Sequence, residues 1–221
     1  MGFDVYDYRT DLRNILVTPQ IRARFFVVEV GDTARGHSHD LGIEIFLILQ
    51  GRAEFEMDGV RRVLEPGQLC IAQVDQAHTV RNVGDVPVIM YLSVTPHIQP
   101  THTYWDAPGQ KAAPAFKPSS EYHVPPDRET PTPRLGGQHL LEMAALADAA
   151  QAALGDQRVQ MREFGAALAR GDRPAALAAR DAMWKSLAPM FAQVYALAEA
   201  WNAFAARTAD EEYSNESRPM V

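Results

Sequence analysis

Six short runs rich in β-branched and aromatic residues occupy the chain from about Ile21 to Thr95, with turn residues between them. Runs of this kind are typical of antiparallel sheets, and the Asp-Gly pair that ends one of them predicts a tight hairpin. Residues 1–95 are therefore predicted to form a mainly β domain. The runs are IRARFFVVEVG, EIFLILQG, RAEFEMDG, LCIAQVD, HTVRNVGDVP and VIMYLSV.

Residues 96–137 have a different composition from the predicted strands. They contain nine of the fifteen prolines in the chain and show little periodicity. A proline-rich segment of this kind predicts an extended arm or linker that lies over a surface. Its histidines, together with one just beyond it, are expected to be solvated or structural rather than metal ligands; they are His97, His102, His123 and His139.

Residues 138–212 are rich in alanine and are predicted to form an α-helical extension. Gly155-Asp156 and Gly171-Asp172 each resemble the end of one helix followed by the start of the next. We therefore expect three helices, near 138–154, 157–170 and 173–207. Pro189 is expected to kink or split the last of them. The tail, residues 213–221, is predicted to be disordered.

Composition excludes several classes of function. The chain has 221 residues, a formal net charge of −7 and no cluster of Lys and Arg, which predicts no nucleic-acid partner. No apolar run approaches the ~18 residues that a membrane helix needs. Cys70 is the single cysteine and cannot form an internal disulfide, and the N-terminus lacks the blocks of a signal peptide. We therefore expect a cytoplasmic protein with no membrane segment.

The stretch HSHDLGIEIFLILQG, which starts at His37, places three side chains able to bind a metal directly before an apolar strand. Side chains alternate along a strand, so His37 and His39 point to the same side. The turn residues between His39 and Glu44 allow Glu44 to return toward the histidines. Alternation then places Phe46 and Ile48 on the same side as Glu44, next to the metal.

These residues resemble the two sequence motifs of the cupin superfamily. Every spacing of the first motif is present, and the second motif is present with Gln73 in place of its proline and Asp75 in place of its second glycine. The resemblance covers roughly residues 31–95 and implies a jelly-roll β-barrel. The matching residues are Gly31, His37, His39, Glu44 and Gly51 in the first motif, and Gly67, His78 and Asn82 in the second.

The resemblance implies a single metal ion held by three histidines and one glutamate, namely His37, His39, Glu44 and His78. A nitrogen and oxygen donor set without a thiolate suits one divalent transition metal, whether Fe, Mn, Ni, Co, Cu or Zn. Coordination positions that the protein leaves open would allow catalysis. Asn82 is interpreted as a structural residue of the motif.

Other residues are candidates for the chemistry itself. Glu44 is a candidate base, and Tyr91, with Tyr104 as a second tyrosine, is a candidate for proton transfer near the metal. Arg81 is a candidate for orienting an anionic substrate. With Phe46 and Ile48 it makes the predicted substrate pocket, which is apolar enough for an aromatic or aliphatic molecule.

Three functions follow from these features. The leading hypothesis is a metal-dependent oxygenase that acts on a small organic molecule. The second is an isomerase, decarboxylase or lyase that uses the metal as a Lewis acid, and the third is a non-catalytic sensor or binding module. Because the strand from Glu44 onward is apolar on both faces, and because of the family resemblance, a homodimer is also expected.

Overall fold

The computed structural model describes residues 2–107 and 109–216. Its strands lie in the N-terminal part of the chain, and its two long helices follow them. The strands are β1 Asn14–Val17, β2 Arg22–Val28, β3 Thr33–His37, β4 Ile43–Gln50, β5 Ala53–Met57, β6 Val60–Leu64, β7 Leu69–Ala72, β8 His78–Asn82, β9 Val88–Thr95, β10 Trp105–Ala107 and β11 Gln110–Lys111. The helices are α1 Thr132–Ala169 and α2 Arg173–Glu216, and a short 3₁₀ helix spans Ser119–Tyr122.

Two antiparallel sheets pack face to face. One has the strand order β1-β2-β9-β4-β7, and the other has the order β3-β8-β5-β6. Their shared core contains large apolar side chains from both sheets, and the rings of Phe46 on β4 and Phe55 on β5 lie 5.0 Å apart. The predicted β domain is therefore confirmed as a jelly-roll type of sandwich.

The expectation of a closed barrel is wrong. Within the described residues no ladder joins the edge strands of the two sheets, so the strands form a sandwich. A sandwich buries its apolar residues between two inner faces and needs no hydrogen bonds between the sheets. The predicted hairpin is confirmed, since Asp58 and Gly59 both have positive φ and connect β5 to β6.

Two motif positions explain local turns. At Gly51, which has φ +79°, an added Cβ would lie 2.8 Å from the carbonyl oxygen of Pro87, so only glycine fits there. Asp75 stands where the second motif has a glycine and adopts φ +61°. Aspartate tolerates this left-handed conformation better than most residues, so the departure from the motif keeps the turn.

Strand β4 follows the predicted alternation. Glu44, Phe46 and Ile48 are buried on the inner face of the sandwich, whereas the residues between them are half-buried on the outer face. The arm that follows β9 belongs to the same compact unit as the strands up to Asp127. Its residue Thr103 pairs with Ser38 in an isolated antiparallel bridge, so this part of the arm extends the sheet structure.

The helical segment contains two helices rather than the three expected. α1 begins at Thr132 and continues through Gly155, because a helical glycine costs only about 1 kcal/mol and its neighbours are strong helix formers. Gly171, with φ +71°, does end a helix, and Asp172 caps the next by accepting a hydrogen bond from the Ala175 N–H at 3.1 Å. α2 also continues through Pro189.

The two helices pair as a hairpin within the unit that runs from Arg128 to Phe204. Contacts between Gln157 and Ser186, and between Glu142 and Gln193, show an antiparallel arrangement. Neither helix, over the residues that the structure describes, has an apolar stretch that would span a bilayer. The predicted disordered tail lies outside the described residues from 217 onward, and α2 includes residues 213–216.

Candidate metal centre

Three strands bring the four predicted ligands together. His37 ends β3, His78 begins β8, and the two residues are directly paired in the ladder between these strands. His39 lies two residues beyond His37, and Glu44 is the second residue of β4. His39, Glu44 and His78 are each no more than 2% exposed, while the His37 side chain keeps 17% of its surface accessible.

The four side chains converge on one point. The Oε2 atom of Glu44 lies 2.7 Å from Nε2 of His39, 3.2 Å from Nε2 of His78 and 3.8 Å from Nε2 of His37. One donor atom from each of the four residues lies within 4.8 Å of all the others. Distances of this size allow the four residues to share one ion.

The hydrogen bonds of the other ring nitrogens fit a metal site. Nδ1 of His37 lies 2.9 Å from the carbonyl oxygen of Arg35, and Nδ1 of His78 lies 2.9 Å from that of Gln76. Nδ1 of His39 contacts the carbonyl oxygen of Thr101. A carbonyl only accepts hydrogen bonds, so each Nδ1 carries a hydrogen and each Nε2 of a neutral ring presents a lone pair. In neutral rings three Nε2 lone pairs and a carboxylate would face one another, and a shared cation would stabilise this arrangement.

The protonation states agree with this arrangement. Burial lowers the pKa of His37 to about 4. Burial would raise the pKa of Glu44, but the hydrogen bonds that the His39 and His78 rings donate when their Nε2 carries a proton, together with the Arg22 charge, outweigh it and hold that pKa well below its usual value. At neutral pH the site therefore offers a carboxylate and neutral imidazole from His37, which are the forms that bind metals. For His78, burial lowers the pKa, but the Glu44 carboxylate outweighs it and the net shift is upward.

The arm contributes a histidine that the sequence analysis did not place at the site. Backbone hydrogen bonds of 2.9 and 2.8 Å join Ser38 to Thr103, so the arm lies beside the segment between the two motif histidines. As a result the ring of His102 lies 4.6 Å from that of His37 and 5.2 Å from that of His39. Nothing in the sequence indicated that His102 lies at the site, because the pairing of Ser38 with Thr103 joins segments that are distant in the chain.

A cavity of about 220 Å³ opens beside the four ligands. Its walls are apolar where β2, β4 and β9 contribute Phe26, Phe46, Met90 and Leu92, and polar where Arg22, Arg24, Arg35, His102 and Tyr104 line it. His37, Glu44 and His78 lie in the same wall, so a small molecule in this cavity would contact an ion held by them.

The remaining predicted residues have different positions. Phe46 lines the cavity, whereas Ile48 is fully buried in the core and does not line it. Arg81 is on the exposed side of β8, where its Nη2 lies 3.0 Å from Oε1 of Glu54, and it is not among the cavity residues. Tyr91 pairs with Leu47 on the outer face of its sheet, opposite to the site. Alternation along β9 did not by itself determine whether Tyr91 or the pair Met90 and Leu92 faces the site. In the observed register Met90 and Leu92 face it.

A second, more open depression of about 690 Å³ shares His37, His78 and Thr79 with the cavity. Its other charged side chains are acidic, in contrast to those of the cavity. They are Glu56, Asp58, Asp75 and Asp106. The two depressions are called here the arginine cavity and the acidic groove.

Comparison with known proteins gives one family. Residues 24–95 match the model of the family described as the cupin domain, and this range contains all four candidate ligands. A comparison with curated proteins found no match.

Solved structures give similarities that cover less than half of this chain. A conserved protein with a double-stranded beta-helix domain from Klebsiella pneumoniae is 22% identical, with a TM-score of 0.41 over 43% of this chain and 91% of that one. A Cupin 2 conserved barrel domain protein from Salinispora arenicola is 26% identical, with a TM-score of 0.37 over 43% and 88%. The DMSP lyase DddQ from Ruegeria pomeroyi is 28% identical, with a TM-score of 0.33 over 35% and 39%. Because these TM-scores are low, the family assignment depends on the match to the family model.

Proposed function

We propose, from the premise that residues 24–95 of this chain are a cupin domain of the cupin superfamily, that the protein is a metal-dependent enzyme. It acts on a small organic molecule, and its proposed reaction class is that of an oxygenase. One observation carries the proposal: four buried or half-buried donor atoms converge within 4.8 Å of one another, and three of the four residues line a cavity of about 220 Å³.

The residues fit one divalent transition metal, with His37, His39 and His78 as nitrogen ligands and Glu44 as the oxygen ligand. No thiolate is present to restrict the choice among Fe, Mn, Ni, Co, Cu and Zn. When bound, such an ion supplies a Lewis-acidic centre with coordination positions that the protein does not fill, and some of these metals also supply redox chemistry.

The protein's own residues would prepare the site in two ways. Backbone carbonyls fix the orientation of the histidine rings, so their Nε2 lone pairs point inward without rearrangement. The apolar side chains Phe26, Phe46 and Leu92 cover one side of the cavity. They exclude water from the substrate and favour an apolar substrate body, which supports an oxygenase reaction.

Two polar residues of the cavity favour the second candidate, a Lewis-acid isomerase, decarboxylase or lyase. His102 and Tyr104 line the cavity, and their rings lie 6.3 Å apart and nearly parallel. Either side chain is placed to hold or move a proton at a bound substrate. Of the two tyrosines named from the sequence, Tyr104 is therefore proposed for proton transfer, because the side chain of Tyr91 lies on the outer face.

Metal analysis of the protein purified without chelators tests the proposal. We expect about one ion per chain in the wild type and less than about a tenth of that in His37→Ala and Glu44→Ala, because each change removes a ligand. Glu54→Ala and His139→Ala are matched controls outside the centre and should keep the ion. Equal and negligible metal in the wild type and all variants would contradict the proposal.

Oxygen uptake then separates the two reaction classes. Metal-loaded protein is incubated with a panel of small aromatic and aliphatic acids in an oxygen electrode, and the products are followed by mass spectrometry. Oxygen consumed in proportion to product supports the oxygenase. Turnover without oxygen consumption supports the Lewis-acid enzyme, and metal-loaded protein that binds panel members without converting any would indicate a binding module.

A further inference from the structure

The arginine cavity contains more positive than negative charge. Three guanidinium groups line it, from Arg22, Arg24 and Arg35, and Glu44 is its single carboxylate. Arg22 and Arg24 are two residues apart on β2, so both point to the inner face of the sandwich. A metal held by Glu44 would add further positive charge, so the ligands themselves do not balance the arginines.

Arg22 is buried without a close partner. It is 2% exposed, and its Nε atom makes no hydrogen bond within the described part of the chain. Its nearest carboxylate contact is a distance of 3.9 Å from Nη2 to Oε1 of Glu44, which is too long for a hydrogen bond. The guanidinium also lies 5.7 Å from the centre of the Tyr122 ring. The Nε–H donor of Arg22 is thus buried without an acceptor among the described residues, at a residue that lines the cavity.

Arg24 is half-buried and forms no salt bridge among the residues described. Its guanidinium carbon lies 4.0 Å from the centre of the Phe26 ring, so a cation–π interaction stabilises the charged group on one side. Burial and the neighbouring Arg22 lower the pKa of Arg24 to about 10, which leaves it protonated at neutral pH.

A buried and a half-buried guanidinium group on one face of a strand are unfavourable unless an anion accompanies them. A guanidinium group binds a carboxylate well, because its fork of N–H donors matches the two carboxylate oxygens. The walls beside the arginines are apolar and include Phe46 and Met90. An anion that fits this space therefore has a charged end for the arginines and an apolar body for the walls.

We propose that the arginine cavity binds a small carboxylic acid as its carboxylate, held by Arg24 and Arg22, with the apolar body of the molecule against Phe26, Phe46 and Met90. This inference rests on the proposed function in one respect, since it takes the bound carboxylate to be the substrate of the metal centre. Arg35, exposed and stacked 3.9 Å over the Tyr104 ring, lies at the outer part of the cavity and attracts the anion.

The probes are butanoate and its neutral amide, butanamide, which have the same chain and differ in charge. Their affinities are measured by calorimetry for zinc-loaded and metal-free protein, and metal content is determined on every sample. We expect butanoate to bind at least about tenfold more tightly than butanamide to the wild type, since charge-assisted hydrogen bonds to the carboxylate are lost with the amide.

Arg24→Met should remove most of this preference, and Arg24→Lys should restore part of it because it keeps the charge without the fork. Arg22→Met is a second variant with the same expected direction. Arg62→Met removes an arginine from the exposed side of β6 and is the matched control, with the preference unchanged. Circular dichroism verifies that each variant is folded.

Two results would overturn the inference. One is equal affinity of the wild type for butanoate and butanamide. The other is a butanoate preference that persists in folded, metal-loaded Arg24→Met and Arg22→Met, since the metal alone would then hold the carboxylate. Failure of the proposed function is distinguishable: the wild type would bind no metal, whereas metal-free protein would still prefer butanoate through Arg24.

Discussion

The arginine cavity and the acidic groove meet at the same two histidines, yet their charges are opposite. The cavity is the smaller of the two, at about 220 Å³ against about 690 Å³, and its arginines range from buried to exposed. The aspartates of the groove are exposed, and Lys111 already pairs with Asp75 at 2.8 Å. Solvent and a lysine thus compensate the groove charges, whereas Arg22 and Arg24 of the cavity are buried and half-buried, with no carboxylate within hydrogen-bond distance among the described residues.

This difference is the reason that the cavity, rather than the groove, is proposed to bind the substrate. Charges that remain in water cost little and are common on any surface, while a buried and uncompensated charge is retained only at a free-energy cost. Volume alone would favour the groove. Burial and charge instead favour the cavity, which also contains the apolar walls that a small organic molecule requires.

The largest expected effect concerns a cavity wall. Phe46→Ala should lower the free energy of unfolding by about 3–5 kcal/mol, because it removes a fully packed ring that contacts Phe55 across the sandwich. In the groove, Glu56→Gln removes only an exposed ion pair to Arg61 and should cost less than about 1 kcal/mol. Urea denaturation measures the free energy of unfolding of both variants. Similar losses in Phe46→Ala and Glu56→Gln would contradict the comparison of cavity and groove.

A smaller effect is expected on acidification, through the buried His97 of the arm. Burial and the Arg22 charge lower the pKa of His97 to about 3, below the ordinary value of about 6.5. Between these two pKa values the folded state therefore binds fewer protons than the unfolded state. The contribution of neutral, buried His97 to the free energy of unfolding is complete above pH ~6.5 and is lost as the pH falls toward ~3.

Between pH 7 and 5.5 the loss from His97 should be about 1 kcal/mol. Denaturation of metal-free wild type and His97→Gln at both pH values measures it, and the variant should lose about that much less on acidification. The same pH dependence in both proteins would show that His97 titrates normally in the folded state.

The smallest expected effect is on the groove side. Asp58→Asn removes an exposed negative charge and should raise the butanoate affinity of zinc-loaded protein by no more than about threefold, because solvent and salt screen exposed charges. Calorimetry with butanoate tests this change. An increase of tenfold or more would mean that the anion binds in the groove and not in the cavity.

Local spacing predicted that His37, His39 and Glu44 could converge, whereas His78 was implied by the resemblance to the second cupin motif. His37 and His39 share a face through strand alternation, and the turn before Glu44 returns its carboxylate to them. The inner positions of β4 followed from the same rule. These relations involve neighbours in sequence, so the sequence contained all the information that they needed.

Relations between distant segments could not be predicted in this way. Arg24 enters the cavity because β2 pairs with β9, and His102 does so because Thr103 bridges to Ser38. Arg81 was expected in the pocket, but the pairing of β8 with β5 places it beside Glu54 outside. Nor could the sequence show that Gly155 would remain inside a helix, because its small propensity cost is outweighed by the long helix around it.

The most direct test of the account is the position of the bound ion itself. Crystals of protein loaded with zinc, measured at the zinc absorption edge, should show one strong anomalous peak bonded to Nε2 of His37, His39 and His78 and to a carboxylate oxygen of Glu44. Metal–nitrogen distances should be about 2.0–2.1 Å. A peak elsewhere, or loaded protein whose His78 ring does not contact the ion, would contradict the central claim.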